Sequence, residues 1–198
     1  MPQTLSEEEL WHSFIAGNSV AYETLVGQTY PLMFQYGSKF NKNKDLVKDC
    51  IQDVFLNVWE KRHNLDSTIP VRAYLLASLR RRIHRKVQHE LIEFNNIEPD
   101  SVFDPIFNVE QTLIENEKNM FLSEKIAAML NTLPDRQKEV IYLRFFQELD
   151  RNQIAEVMQI TPQSVSNFLQ KSFTHIKNNW ISASYHLSGI ILSLAFQQ

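Results

Sequence analysis

The residues best placed to do chemistry lie between Asp45 and His89. Arg72, Arg80, Arg81, Arg82, Arg85 and Lys86 follow one another in Val71–His89 with no carboxylate among them. On helical spacing Tyr74, Arg81 and Arg85 fall at i, i+7 and i+11, close to one line, with Ala77 and Gln88 beside them. An aromatic ring aligned with guanidiniums suits a single strand of nucleic acid: the ring stacks on a base, contributing ~1–3 kcal/mol, and the cations hold phosphates. Leu75, Leu76, Leu79, Ile83 and Val87 form the stripe to be buried, and Arg72 and Lys86 lie near it and have to snorkel. The competing reading is a merely solvated basic face. The lack of a balancing acid weighs against it.

The preceding helical pattern, Asp45–Arg62, has the opposite charge. Val47, Ile51, Val54, Phe55 and Val58 fall in one arc, flanked by Cys50 and Trp59. Asp49, Asp53 and Glu60 lie on the other face with Leu46 and Leu56 among them and Gln52 at its border. Leucine ringed by acids has the anatomy of a protein-docking site, an apolar anchor in a charged rim. A solvated acidic face with two incidental leucines remains open on spacing alone.

A third constellation is the most specific. Asp150 and Gln153 form a capping-box pair, with Leu149 and Ile154 placed as a hydrophobic staple. A second start follows, with Thr161 as N-cap and Pro162 at the first helical position. Only a few residues around Gln159–Ile160 lie between, which predicts a helix-turn-helix. Gln159 stands where glycine is usual, and a left-handed conformation there costs on the order of 1 kcal/mol. Ala155, Ile160 and Val165 suit the crossing. Val165, Leu169, Ser172 and Ile176 are expected to face inward, and Gln163, Asn167, Gln170, Lys171 and Thr174 outward. Gln and Asn can pair with adenine edges in the major groove, and Lys can contact phosphate or guanine. A purely structural or protein-binding helix-turn-helix is the alternative.

The rest of the chain must position these three stretches. Four Gly in 198 residues and the absence of hairpin turns argue for helix throughout. Residues 4–40 read as helix with one interruption. Thr4 or Ser6 caps its first turn ahead of Glu7, Glu8 and Glu9, and the break is expected at Tyr30-Pro31 because proline inside a helix costs about 3 kcal/mol. His63–Pro70 is a connecting loop. Residues 90–118 are acidic and carry turn formers, so they read as a linker. Helical spacing resumes near Val109, with Leu113, Met120, Phe121, Ile126, Met129 and Leu130, and Leu133-Pro134 opens the next helix. Residues 181–198 form a mildly apolar tail, too short to span a bilayer. The expected fold is all-α: a domain at 1–89, the acidic linker at 90–118, a helix-turn-helix domain at 119–180, and the tail.

Composition narrows the function classes. A net charge of −3 leaves nucleic-acid contact to local patches. The single Cys50 excludes an intramolecular disulfide and a CxxC metal site, and fits a reducing compartment. His12, His63, His84, His89, His175 and His186 have no metal-ligand spacing, and there is no Gly-rich phosphate loop or nucleophile elbow. No catalytic residue, metal or cofactor is expected, nor a small-molecule substrate or a membrane span.

Taken in order, the acidic helix, basic helix, acidic linker and helix-turn-helix resemble the extracytoplasmic-function type of sigma factor of bacterial RNA polymerase, a branch of the sigma-70 family. The run Asp49–Trp59, through Gln52, Asp53 and Phe55, is similar to region 2.2. Leu133, Pro134, Arg136, Gln137, Glu139, Val140, Leu143 and Arg144, followed by Gln153–Glu156, are similar to region 4. The resemblance covers roughly residues 8–180. It implies that Asp49, Gln52, Asp53, Leu56 and Trp59 support or form the contact with the clamp helices of the polymerase largest subunit. It also implies that Tyr74 helps open the −10 element beside Arg80, Arg81, His84 and Arg85, and that Gln163, Ser164, Ser166, Asn167, Gln170 and Lys171 read the −35 element. The linker would thread toward the polymerase active centre, an anti-sigma factor would mask both surfaces, and the protein would be cytoplasmic. Two departures stand out. Arg80-Arg81 and Arg85 replace the family's usual Arg-Asn and following Asp, and Ser166 and Phe168 stand where basic residues are common. A stand-alone helix-turn-helix regulator, binding duplex DNA as a dimer, and a sigma-like protein-interaction module are the alternatives.

Overall fold

Local signals set most of the helix starts. In the computed structural model, which describes residues 5–93, 103 and 117–195, with side chains at 5–89, 103 and 124–180, eight α-helices follow one another. Helix α1 (Glu7–Ile15) opens on Ser6, whose hydroxyl accepts from the Glu9 amide while the Glu9 carboxylate accepts from the Ser6 amide. It ends at Gly17, whose φ of 100° lets the Gly17 and Asn18 amides turn back to the Phe14 and Ser13 carbonyls. Asn18 then caps α2 (Ser19–Gly37), and Asn43 caps α3 (Lys44–Lys61). A 3-10 turn, Arg62–Asn64, leads toward α4 (Val71–Glu93).

The one interruption therefore falls at Gly17, not at Tyr30-Pro31. Helix α2 runs unbroken through Pro31. Pro31 and Gly27 both lie on its exposed face, so the carbonyl that proline leaves unbonded points to water. The cost of about 3 kcal/mol is offset because Leu25 and Thr29 before it and Met33 and Tyr36 after it all bury in one core.

That core is an aromatic and aliphatic cluster among α1–α4. Trp11, Phe14, Leu25, Met33, Val47, Ile51, Val58, Leu75, Leu79 and Ile83 are each almost fully buried. The α2 C-terminus approaches so closely that a Cβ on Gly37 would sit 2.7 Å from Val47 Cγ1.

The second half comprises α5 (Glu117–Asn131), α6 (Asp135–Phe145), α7 (Arg151–Met158) and α8 (Pro162–Ala195). Its core is Leu130, Leu133, Val140, Ile141, Leu143, Ile154, Val157, Met158 and Val165. The halves are packed together, with α7 lying along α4. The expected helical spacing at 109–116, and nearly all of the acidic linker, lie outside the described residues. Helix α4 continues to Glu93, past the point where the sequence turns acidic, and α8 continues into the apolar tail. No strand occurs among the described residues, and no described helix is long and apolar enough to cross a membrane.

Candidate nucleic-acid and partner interfaces

On α3 the buried arc is broader than the periodicity suggests. Leu46 is buried with Val47, Cys50, Ile51, Val54, Phe55 and Val58, so it does not belong to the acidic face. It lies in the first turn. Leu56 is the leucine that remains outside, 60% exposed, with Gln52 and Glu60 exposed on the same helix. Trp59 is half-buried: its ring lies 4.9 Å from Tyr22 and 6.1 Å from Phe14, and the Arg62 guanidinium stands 4.7 Å over it. It fixes α3 against α1 and α2 more than it faces outward. Cys50 is fully buried, and burial pushes its thiol pKa up, as suits an inert core cysteine.

The acids and bases that sequence separates into two helices meet in space. Arg82 donates through Nε, at 3.0 Å, and Nη2 to Asp53 Oδ2, and Lys86 Nζ lies 3.8 Å from Asp49. Arg72 reaches Glu7 Oε1 at 2.6 Å and the Gln147 carbonyl at 3.3 Å. Four of the six cations of Val71–His89 are thus matched by carboxylates of α1, α3 and α6. Arg81 and Arg85 have no carboxylate partner among the described residues. Arg81 donates to Ser78 Oγ and Arg85 to the Arg81 carbonyl.

The strip of α4 opposite its core stripe is not free either. Ala73 and Ala77 are buried, so Ala77 does not flank an open Tyr74–Arg81–Arg85 line, and α7 packs against α4. Arg80, on the same strip, is 12% exposed and donates through Nε, at 2.8 Å, and Nη2, at 3.3 Å, to the two oxygens of Glu139 on α6. Tyr36 Oη donates to the same Glu139 Oε1 at 2.7 Å. Burial opposes the Arg80 charge, but Glu139 outweighs it and its pKa rises. Burial, and then Glu139, hold the Tyr36 phenol well above its ordinary value. His84 lies edge-on to Phe40 at 5.5 Å, and burial followed by Arg80 lowers its pKa. Tyr74 is half-buried, 6.0 Å from Trp11. Arg81 and Arg85 therefore keep the outward placement that spacing indicates, while Arg80 and His84 sit in the junction between the halves.

Helix-turn-helix geometry follows the sequence closely. Asp150 and Gln153 form the capping box, and Leu149 and Ile154 are both buried beneath it. Gln159 takes the left-handed conformation at φ 54°, ψ 48°. Thr161 Oγ1 accepts from the Ser164 amide at the start of α8. Val165 and Ser172 are buried, Leu169 and Ile176 half-buried, and Gln163, Asn167, Gln170, Lys171 and Thr174 exposed, with Ser164 and Ser166 between. Gln163 donates to Asn167 at 3.1 Å, so the two amides lie on one outward row.

Sequence reasoning missed Glu139, Gln147 and Phe103 as organisers of the junction. Phe103 is 2% exposed and packs on Phe40 at 4.9 Å and on Tyr36 and Tyr142 at 5.9 Å each. Aromatics within an acidic, turn-rich stretch, at Phe94, Phe103 and Phe107, were the available signal.

An exposed Leu56 on an acidic helix, a basic helix packed beside it and a polar, exposed row on the helix-turn-helix are the surfaces this helical protein presents. The Sigma-70 region 2 family matches residues 25–90, and Sigma-70, region 4, matches residues 123–176. Together these cover more than half of the chain, and it belongs to the sigma-70 family, in the two-domain arrangement of the extracytoplasmic-function type. The RNA polymerase sigma factor SigF of Mycobacterium tuberculosis is 36% identical over 55 residues, which are 28% of this chain and 21% of SigF. The fold is similar to that of CnrH, solved with the cytosolic domain of CnrY, at TM-score 0.56 and 18% identity over 89% of this chain and 97% of CnrH. It is also similar to RpoE from Bartonella quintana, solved with the anti-sigma factor NepR, at TM-score 0.57 and 13% identity over 79% of this chain and 94% of RpoE.

Proposed function

We propose that this chain is a transcription initiation factor that directs core RNA polymerase to promoters, and that it has no catalytic activity of its own. The observation that carries the reading is the order of the two family matches on this framework. Region 2 falls on the helices that expose Leu56 in an acidic rim, and region 4 on the helix-turn-helix whose outward face is free. Residues 1–89 then form the polymerase- and −10-binding domain, 90–118 the linker and 119–180 the −35-binding domain.

Within α3, Leu56 is the apolar anchor for the clamp helices, Asp49, Gln52 and Asp53 its rim, and Trp59 its internal support. Along α4, Tyr74, Arg81 and Arg85 take the separated −10 strand, with Arg80 and His84 joining once the junction opens. At the start of α8, Gln163, Ser164, Ser166, Asn167, Gln170 and Lys171 face the −35 duplex. RpoE and CnrH were each solved with a protein partner. A comparable anti-sigma factor fits this chain, and the site of action is the cytoplasm, where polymerase is. One observation favours a protein-interaction module that never opens DNA: Arg80 and His84 are occupied in the closed structure. Titration of labelled protein with purified core polymerase tests the shared first step. Saturable binding is expected, and no association would count against the reading.

A further inference from the structure

Few groups on α8 can read the edge of a base. No arginine occurs after Arg151, and Pro162–Ala195 contains neither Asp nor Glu. The helix thus lacks the fork that commonly pairs with guanine O6 and N7, and the carboxylate that accepts from cytosine N4. Its outer hydroxyls are engaged on the helix itself. Ser166 Oγ donates to the Pro162 carbonyl at 3.3 Å, Thr174 Oγ1 donates to the Gln170 carbonyl at 2.9 Å, and Ser164 Oγ lies 2.9 Å from Thr161 Oγ1. The outward row instead begins with two exposed amides one turn apart, and Gln163 Nε2 donates to Asn167 Oδ1 at 3.1 Å. That bond sorts the remaining polar atoms. It occupies the Asn167 oxygen, so Asn167 keeps its NH2 group as a donor, and it uses a Gln163 proton, so Gln163 keeps Oε1 as an acceptor. An acceptor with a donor beside it complements adenine in the major groove, which offers the N6 amino group and N7. Guanine offers two acceptors there and would set O6 against Gln163 Oε1.

We propose that Gln163 and Asn167 act as one composite reader of a single A·T pair: Asn167 Nδ2 donates to adenine N7, Gln163 Oε1 accepts from N6, and the bond between the amides fixes both. Asn167 does not make the two-point contact by itself in this arrangement, because its oxygen is occupied by Gln163. Gln163 is therefore a contact and also the positioning residue of Asn167. The pair is ordered before DNA arrives, which reduces the side-chain entropy lost on binding. The inference rests on the duplex-reading role proposed for α8 and gives that role a base identity.

Full-length protein, alone and bound to core polymerase, is used to select duplexes from a randomised library. Each adenine of the selected site is then replaced singly by 7-deazaadenine, which lacks the N7 acceptor, or by unsubstituted purine, which lacks the N6 amino group. Affinities are read by competition in fluorescence anisotropy. At one A·T pair each replacement should weaken binding by about 5- to 10-fold, and G·C in its place by about 10- to 100-fold. Asn167→Ala should no longer respond to 7-deazaadenine. Gln163→Ala should lose most of its response to both replacements, because Asn167 is no longer held. Both positions are exposed, so neither variant disturbs the core. A full response to both replacements in Gln163→Ala would overturn the composite reader. A selected site in which every adenine tolerates both replacements, or no preferred duplex at all, would overturn adenine reading, and core-polymerase binding, measured on its own, then decides the initiation-factor reading. Should the protein alone select the predicted pair while never associating with core polymerase, the amide reader stands and the initiation-factor reading falls.

Discussion

Asp53 of α3 and Arg82 of α4 meet through two hydrogen bonds, with Arg82 Nε 3.0 Å from Asp53 Oδ2. The acidic helix proposed to hold polymerase and the basic helix proposed to hold DNA are thus joined by a contact that partly neutralises both. Their side chains are 31% and 40% exposed, so water screens the pair. Asp53→Ala is expected to cost about 0.5–1 kcal/mol in chemical denaturation. A double-mutant cycle with Arg82→Ala should return most of that as coupling. A larger effect of Asp53→Ala on polymerase affinity than on stability would give this residue a direct place in the interface.

Leu56 gives the sharpest test of the docking face. It is the exposed leucine of α3 and makes no contribution to the core. Leu56→Arg should weaken core-polymerase binding by at least ~10-fold, as the loss of an interface anchor does, and leave the melting curve almost unmoved. Equal affinity would remove Leu56 from the interface.

Gly37 reports on core packing. A Cβ there would meet Val47 at 2.7 Å, Ile83 at 3.2 Å and Leu79 at 3.3 Å, all inside the buried cluster. Gly37→Ala should destabilise by about 1–3 kcal/mol, since the gain in helix propensity is smaller than the strain of overpacking. Scanning calorimetry should show a melting temperature lower by several degrees, about 2–4 °C per kcal/mol for a chain of this size.

The turn of the helix-turn-helix predicts the opposite sign. Gln159 is exposed and left-handed at φ 54°. Gln159→Gly should stabilise by roughly 0.5–1 kcal/mol, because relief of the left-handed strain exceeds the added unfolded-state entropy. A urea midpoint that falls would show that the Gln159 side chain contributes to the fold in some further way.

Burial, and then Arg80, lower the His84 pKa from its ordinary 6.5. In the unfolded chain His84 takes up a proton as the pH drops past that value, and in the folded chain it resists. Its contribution to stability is therefore present above about pH 6.5 and lost as the pH falls through the lower folded value. Urea midpoints of the native chain and His84→Gln should converge or cross as the pH falls from about 7.5 to about 5.5. Parallel pH profiles would exclude a role for His84.

What the sequence made legible was local. The cap at Ser6, one of the two candidates with Thr4, the capping box at Asp150–Gln153, the Gln159 turn and the outward row from Gln163 to Lys171 depend on residues within a turn or two of each other, and the structure keeps them. What it hid depends on distant partners. Arg80 and Glu139 are 59 positions apart and Arg72 and Glu7 are 65, so a helix without acids of its own looked uncompensated. Helical spacing could place Ala77 opposite the core stripe, but not show that it would be buried. Pro31 was misjudged because its cost is local while the packing that overrides it is not. Leu46 buries although it lies outside the stripe, because helical spacing does not show what packs against the first turn of α3.

As proposed, this chain gives core polymerase its choice of promoter. Run-off transcription on fragmented genomic DNA, with purified core polymerase and this protein as the sole added factor, tests it most directly. Discrete transcripts that require the protein, and that Leu56→Arg diminishes, are the predicted result. No factor-dependent transcript, together with no binding to core polymerase, would contradict it.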